Sequence, residues 1–178
     1  NYALALVGWL KGGLGHVNVV GSVVFAGMSG TAIADAAGLG TIEIKAMKDH
    51  GYSTEFAVGV TTAPATLGPI IPPSLPFVIY GMMANVSVGA LFLAGILPGL
   101  LIGLAQMATV HAYAKARGYP TYPRESWRAL LCAIWIPIPA LATPGIIIGG
   151  KIFGWFTATE SACIAVLYAA VLSIIVYR

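Results

Sequence analysis

From residue 56 to residue 114 the chain carries no Asp, Glu, Lys or Arg, an unbroken run of 59 residues. A surface helix of a soluble domain needs charge on its outer face, and so long an uncharged stretch cannot all be core. Further uncharged runs cover 12–34, 129–150 and 161–177. Only 8% of the 178 residues are charged and 58% are hydrophobic, against about 25% charged in an ordinary soluble domain. The expectation is an all-α integral membrane protein whose solvent is the lipid bilayer.

The remaining composition closes off other classes. A net charge of +3 spread over nine scattered Lys and Arg forms no basic stripe, so no nucleic-acid partner is expected. Cys132 and Cys163 both sit in apolar runs and read as packing residues, not as a disulfide or metal pair. Asn1 is followed at once by apolar sequence with no positively charged n-region, and residues 1–10 read as the end of a preceding helix. The chain is therefore expected to be a piece of something longer.

A straight span needs about 20 apolar residues. Val88–Ala114 is one such span, continuing as a long helix over 88–117, and 157–177 is another. The stretch 129–150 is long enough but holds Pro137, Pro139 and Pro144, which predict a kinked span after a loop over 118–128. The region 11–48 differs: Met28-Ser29-Gly30-Thr31 interrupts apolar sequence, and each arm is only about 22 Å as helix. Arms of that length fit a re-entrant hairpin that enters and leaves on one side. Region 53–84 is a broken crossing, with half-helices Ser53–Leu67 and Phe77–Ala84 around Gly68-Pro69-Ile70-Ile71-Pro72-Pro73-Ser74-Leu75-Pro76. With this topology Lys11, Lys45, Lys48, Lys115, Arg117, Arg124, Arg128 and Arg178 share one face, the cytoplasmic one, and only Lys151 lies opposite.

A re-entrant tip and an unwound crossing together suit a transport site. Freed carbonyls can hold a cation, and half-helix N-termini suit an anionic substrate. Ser29 and Thr31 supply hydroxyls, Gly30 the tight turn, Gly68, Pro72 and Pro73 exposed carbonyls, and Thr66 a further hydroxyl. Asp35, one turn past the tip, can hold a sodium ion, carry a proton, or brace the tip by accepting hydrogen bonds. Thr157 and Glu160 read as a capping box. Gly95, Gly99 and Gly103, like Gly145 and Gly149, form small faces for close helix contact. His16, His50 and His111 are far apart in sequence, so no metal site is expected from them. No Walker A or nucleophile elbow occurs, and ionic coupling is the expectation, not ATP hydrolysis or enzymatic catalysis.

Several long motifs resemble one family. They are Gly12-Gly-Leu-Gly-His-Val-Asn-Val19, Phe25-Ala-Gly-Met-Ser-Gly-Thr-Ala-Ile-Ala-Asp-Ala-Ala-Gly-Leu-Gly40, Gly68-Pro-Ile-Ile-Pro-Pro-Ser74, Leu91-Phe-Leu-Ala-Gly-Ile-Leu-Pro-Gly99 and Phe156-Thr-Ala-Thr-Glu-Ser-Ala162. The chain is similar, nearly end to end, to the large membrane subunit of tripartite ATP-independent periplasmic (TRAP) transporters, the DctM-like M subunit. The resemblance implies a sodium-coupled importer of C4-dicarboxylates, sialic acid or similar carboxylates in the bacterial inner membrane, multi-pass. It implies a periplasmic substrate-binding protein and a small four-helix membrane subunit as partners. It further implies an elevator built from two inverted repeats, of which this chain holds the first hairpin and broken helix. Residues 157–177 would then open the second repeat. Carried over, Ser29, Thr31, Thr66, Gly68 and Pro72 would hold sodium with Asp35 in support, and Ser29, Gly30, Thr31, Pro73 and Ser74 would meet substrate. Thr31 stands where family tips often have Ser, which keeps the hydroxyl. Rival readings are a stand-alone sodium-coupled anion permease without a binding protein and, from other classes, a channel or an intramembrane enzyme.

Overall fold

The computed structural model describes residues 7–119, 121 and 138–175. Among them lie eight helices and no strand: α1 (Gly13–Ser29), α2 (Ala32–Gly38), α3 (Gly40–Asp49), α4 (Thr54–Ala65), α5 (Leu75–Ala84), α6 (Val88–Arg117), α7 (Ile138–Ile152) and α8 (Ala158–Ile175). Residues 122–137, with Cys132, Pro137, Arg124 and Arg128, fall outside the described part. So do residues 1–6 of the expected preceding helix.

The hairpin forms around its glycine. α1 ends where Gly30 takes φ 65°, the left-handed region, and returns its N–H to Ala26 O at 3.2 Å. Thr31 is extended, and its Oγ1 accepts the Ala34 N–H at 3.3 Å to open α2. The returning arm is jointed, with α2 and α3 separated at Leu39. Gly38 and Gly40 flank that joint, where they weaken helix propagation and allow close packing. A Cβ would lie 3.4 Å from Phe25 at Gly38 and 3.1 Å from Thr61 at Gly40.

The broken segment differs from expectation at both edges. α4 stops at Ala65, two residues short of Leu67, and the chain continues as tight turns. These are i to i+3 bonds, from Leu67 N to Pro64 O at 2.9 Å, Gly68 N to Ala65 O at 3.1 Å and Ile70 N to Leu67 O at 2.9 Å. α5 begins at Leu75, earlier than Phe77, because Ser74 caps it through a 3.3 Å bond from Phe77 N. Pro76 therefore belongs to the first helical turn, where its missing N–H costs nothing.

Leu14, Val19, Met47, Tyr52, Ala57, Val60 and Val110 form a core that ties α1, α3, α4 and α6 together at the hairpin base. α6 is the one described helix long and apolar enough to cross a membrane, at 30 residues with a mean hydropathy of 2.3 over its most apolar window. Its glycine face seats the break, where a second helix had been the expected partner. A Cβ at Gly95 would collide with the Ile70 carbonyl, and one at Gly99 would lie 2.6 Å from Ile71. Gly103 faces Val23 and Leu67. The second glycine pair behaves differently, since Gly145 and Gly149 meet nothing within 4 Å among the described residues. α7 and α8 pack as a pair, joined by the Tyr168 hydroxyl donating to Pro139 O at 2.9 Å. α8 opens with the expected capping box: Thr157 N donates to Glu160 Oε2 at 2.7 Å, and Glu160 N to Thr157 Oγ1 at 3.3 Å.

Candidate functional site

The hairpin tip lies against the break. Leu75 N–H donates to the Gly30 carbonyl at 3.4 Å, and a Cβ built at Gly30 would strike the carbonyl oxygen of Pro73. At the other end of the break, a Cβ at Gly68 would sit 2.7 Å from Thr31 C and 2.8 Å from Thr31 O. Two stretches of backbone far apart in sequence, Gly30–Thr31 and Gly68–Leu75, therefore touch at two points, each of which admits only glycine. Sequence periodicity carries no signal for this contact.

Most of the hydroxyls at the site already have local work. Ser29 Oγ, half-buried, donates to Thr31 O at 3.4 Å. Thr31 caps α2, and buried Ser74 caps α5 while its hydroxyl donates to Pro69 O. Both caps place a hydroxyl oxygen beside the tip–break contact and fix its orientation. Pro72 is buried, and the Pro72–Pro73 peptide is cis. Thr66 is exposed, and its hydroxyl is engaged at 2.6 Å with Ala63 O of its own helix. The structure thus gathers Ser29, Gly30, Thr31, Gly68, Pro73 and Ser74, and leaves Thr66 to its own turn.

Two helix ends of opposite polarity meet there. α4 ends at the break with Ala63 O, Pro64 O and Ala65 O already accepting turn bonds, so the negative end of its dipole is what suits a cation. α5 starts at the break with Leu75 N–H on Gly30 O, Phe77 N–H on Ser74 Oγ and no N–H at Pro76, so the positive end of its dipole is what suits an anion. No group of three His, Cys, Asp or Glu side chains that could hold a metal occurs among the described residues. An oxygen set drawn from carbonyls and hydroxyls is what the tip and break offer.

Asp35 is not bonded to the tip. It is only 1% exposed, inside the hairpin, and neither carboxylate oxygen has a hydrogen-bond partner. It faces Ser22 of α1, outside the geometry of a formed bond, and lies near Glu43 of α3. Bracing through hydrogen bonds from tip hydroxyls and amides is therefore not the role the structure gives it. Asn18, Ser22 and Glu43 are functional candidates that the sequence did not single out, whereas Thr61 was expected to add a hydroxyl beside the break and instead holds Asn18. The available signal was the i, i+4 spacing of Asn18 and Ser22 in an otherwise apolar arm. His16 and His111, far apart in sequence, have ring centroids 5.9 Å apart and join α1 to α6.

Comparison with known proteins gives the family. A family model described as "Tripartite ATP-independent periplasmic transporter, DctM component" matches residues 1–178. The chain is 50% identical over 178 residues to the sialic acid TRAP transporter large permease protein SiaM of Vibrio cholerae, covering 100% of this chain and 42% of that protein. It is 46% identical to the sialic acid TRAP transporter permease protein SiaT of Haemophilus influenzae, covering 100% of this chain and 29% of that one. It is 40% identical to the C4-dicarboxylate TRAP transporter large permease protein DctM of Vibrio cholerae, covering 99% and 39%. The chain spans less than half the length of these curated relatives. It belongs to the DctM family.

Proposed function

We propose that this DctM-family chain supplies one sodium site and half of the substrate site of a secondary transporter that imports organic acids. The observation that supports this most is the backbone contact between Gly30–Thr31 and Gly68–Leu75. It sets carbonyls suited to a small cation beside the start of a half-helix suited to a carboxylate. Ser29, Thr31, Gly68 and Pro72 hold the sodium ion, with Thr66 at the edge. Ser29, Gly30, Thr31, Pro73 and Ser74 line the carboxylate side. The carboxylate is of the sialic acid or C4-dicarboxylate kind.

In this reading sodium entry drives uptake across the bacterial inner membrane. A periplasmic binding protein delivers the substrate, and a small four-helix membrane subunit accompanies the permease. The hairpin and broken helix move as one body, in elevator fashion, because their contact leaves no room for the two to slide apart. The exposed apolar face of α6, with Leu97 and Leu104 more than half exposed, then meets lipid or the remaining permease.

Ser29→Ala and Thr31→Ala test the assignment in the full-length permease. Each is expected to weaken the sodium dependence of uptake about tenfold or more, as loss of a ligand or its orienting partner does elsewhere, with normal amounts of folded protein in the membrane. Unchanged sodium dependence in both would remove the tip from the ion site.

A further inference from the structure

The hairpin encloses a second set of oxygen atoms, one that neither the tip nor the break explains. Asn18 Oδ1, both oxygens of Asp35 and Glu43 Oε2 are buried without a hydrogen-bond partner. All four are acceptors. Buried polar groups are almost always paired, so several unpaired acceptors in one seam require an explanation. They come from three helices that meet along one line. Asn18 Nδ2 reaches Met47 Sδ at 3.9 Å, Gly21 lies 3.0 Å (as a Cβ) from Glu43 Oε1, and Ser22 faces Asp35. Asn18, Gly21 and Ser22 share one face of α1, and Glu43 and Met47 one face of α3, so the groups form one continuous strip.

We propose that this strip is a second cation site, in which Asn18, Ser22, Asp35 and Glu43 bind one dehydrated, sodium-sized ion inside the hairpin. Two carboxylates in an apolar interior are costly unless a positive charge accompanies them. Among the described residues no Lys, Arg or His forms an ion pair with either carboxylate, and Lys45 and Lys48 of the same helix are exposed. The second observation, independent of the acid pair, is Asn18. It is 1% exposed, and its Nδ2 is held by Thr61 Oγ1 at 2.7 Å, which fixes the amide and leaves Oδ1 as an acceptor with no donor. A proton shared by the carboxylates would leave that oxygen unanswered, whereas a cation uses it.

The set also favours a monovalent ion. Four unpartnered oxygens and the Ser22 hydroxyl fall short of the roughly 6–8 that calcium takes. Magnesium keeps several waters of its own, whereas the donors gathered here are protein oxygens. Loading the site would tie the returning arm to α1 and stiffen the hairpin behind its tip. The inference shares with the proposed function only the identity of the ion.

Equilibrium binding of radioactive sodium to the purified full-length permease with its small subunit, without substrate or gradient, tests it. Asn18→Ala and Glu43→Gln are each expected to remove one sodium from the binding stoichiometry or weaken it about tenfold or more. Thr31→Ala should affect a different ion, so that Asn18→Ala and Thr31→Ala combined lose both. Asn18→Ala removes no charge and guards against misfolding of the Glu43 variant, and size-exclusion profiles identify the folded fraction. Sodium binding unchanged in number and affinity in folded Asn18→Ala protein overturns the proposal. So does an infrared carboxylic-acid band that Glu43→Gln abolishes while sodium binding stays intact, since that is a shared proton. Failure of the transport reading would look different: uptake indifferent to sodium, with binding at the seam preserved.

Discussion

Gly68→Ala in the full-length permease is expected to reduce sodium-driven uptake by about a hundredfold, the scale of a 1 Å misplacement of positioning groups. The protein should still reach the membrane. The added Cβ would lie 2.7 Å from one backbone atom of Thr31 and 2.8 Å from another. Backbone cannot rotate away as a flexible side chain can, so the tip must shift relative to the break. Gly68→Leu should be worse, and Gly30→Ala should produce the same loss from the other side. That second change combines a collision with the Pro73 carbonyl and a left-handed φ of 65° that alanine adopts poorly. Gly59→Ala is the control: it lies on α4, where a Cβ meets nothing within 4 Å. Uptake assays normalised to membrane protein read all four. If Gly68→Ala transports as Gly59→Ala does, the tip and break do not need their contact.

Gly95→Leu is expected to cost about 1–3 kcal/mol or more of stability by overpacking and to lower uptake with it. Gly95 is where α6 accepts the break: a side chain there runs into the Ile70 carbonyl and lies 2.6 Å from the Phe77 ring. Both neighbours belong to the unwound segment or the first turn of α5, so the substitution lifts the break off the helix that seats it. Thermal unfolding of the purified permease should show a lower midpoint, and the sodium concentration for half-maximal uptake should rise in the protein that remains folded. Gly99→Leu, against Ile71 at 2.6 Å, should behave alike. An unchanged midpoint in both variants would mean that the break is held elsewhere.

Charge and proline made much of this architecture legible. The uncharged run pointed to a membrane protein, and Ser29-Gly30-Thr31 and Gly68–Pro73 marked two interruptions of helix, the second of which in fact runs from Thr66 to Ser74. Thr157 and Glu160 form the cap that their spacing predicts. Three features were not legible, each for a physical reason. The contact of Gly68 with Thr31 is tertiary, and nothing local distinguishes Gly68 from a glycine that merely ends a helix. The start of α5 was misplaced because Pro76 was read as a breaker, whereas in a first turn proline lacks only a donor that has no acceptor. Glu43 sits beside Lys45 and Lys48 in sequence and reads as a water-facing boundary residue. The turn of α3 instead sends it inward, against Gly21, while the lysines stay exposed.

The most direct measurement is uptake of radiolabelled sialic acid and C4-dicarboxylates into proteoliposomes holding the full-length permease with its small subunit. It is run with and without an inward sodium gradient, and with and without the periplasmic binding protein. Uptake is expected to require both, and Thr31→Ala to weaken its sodium dependence. Uptake equally fast without a sodium gradient would contradict the claim that the tip and the break form a coupling site.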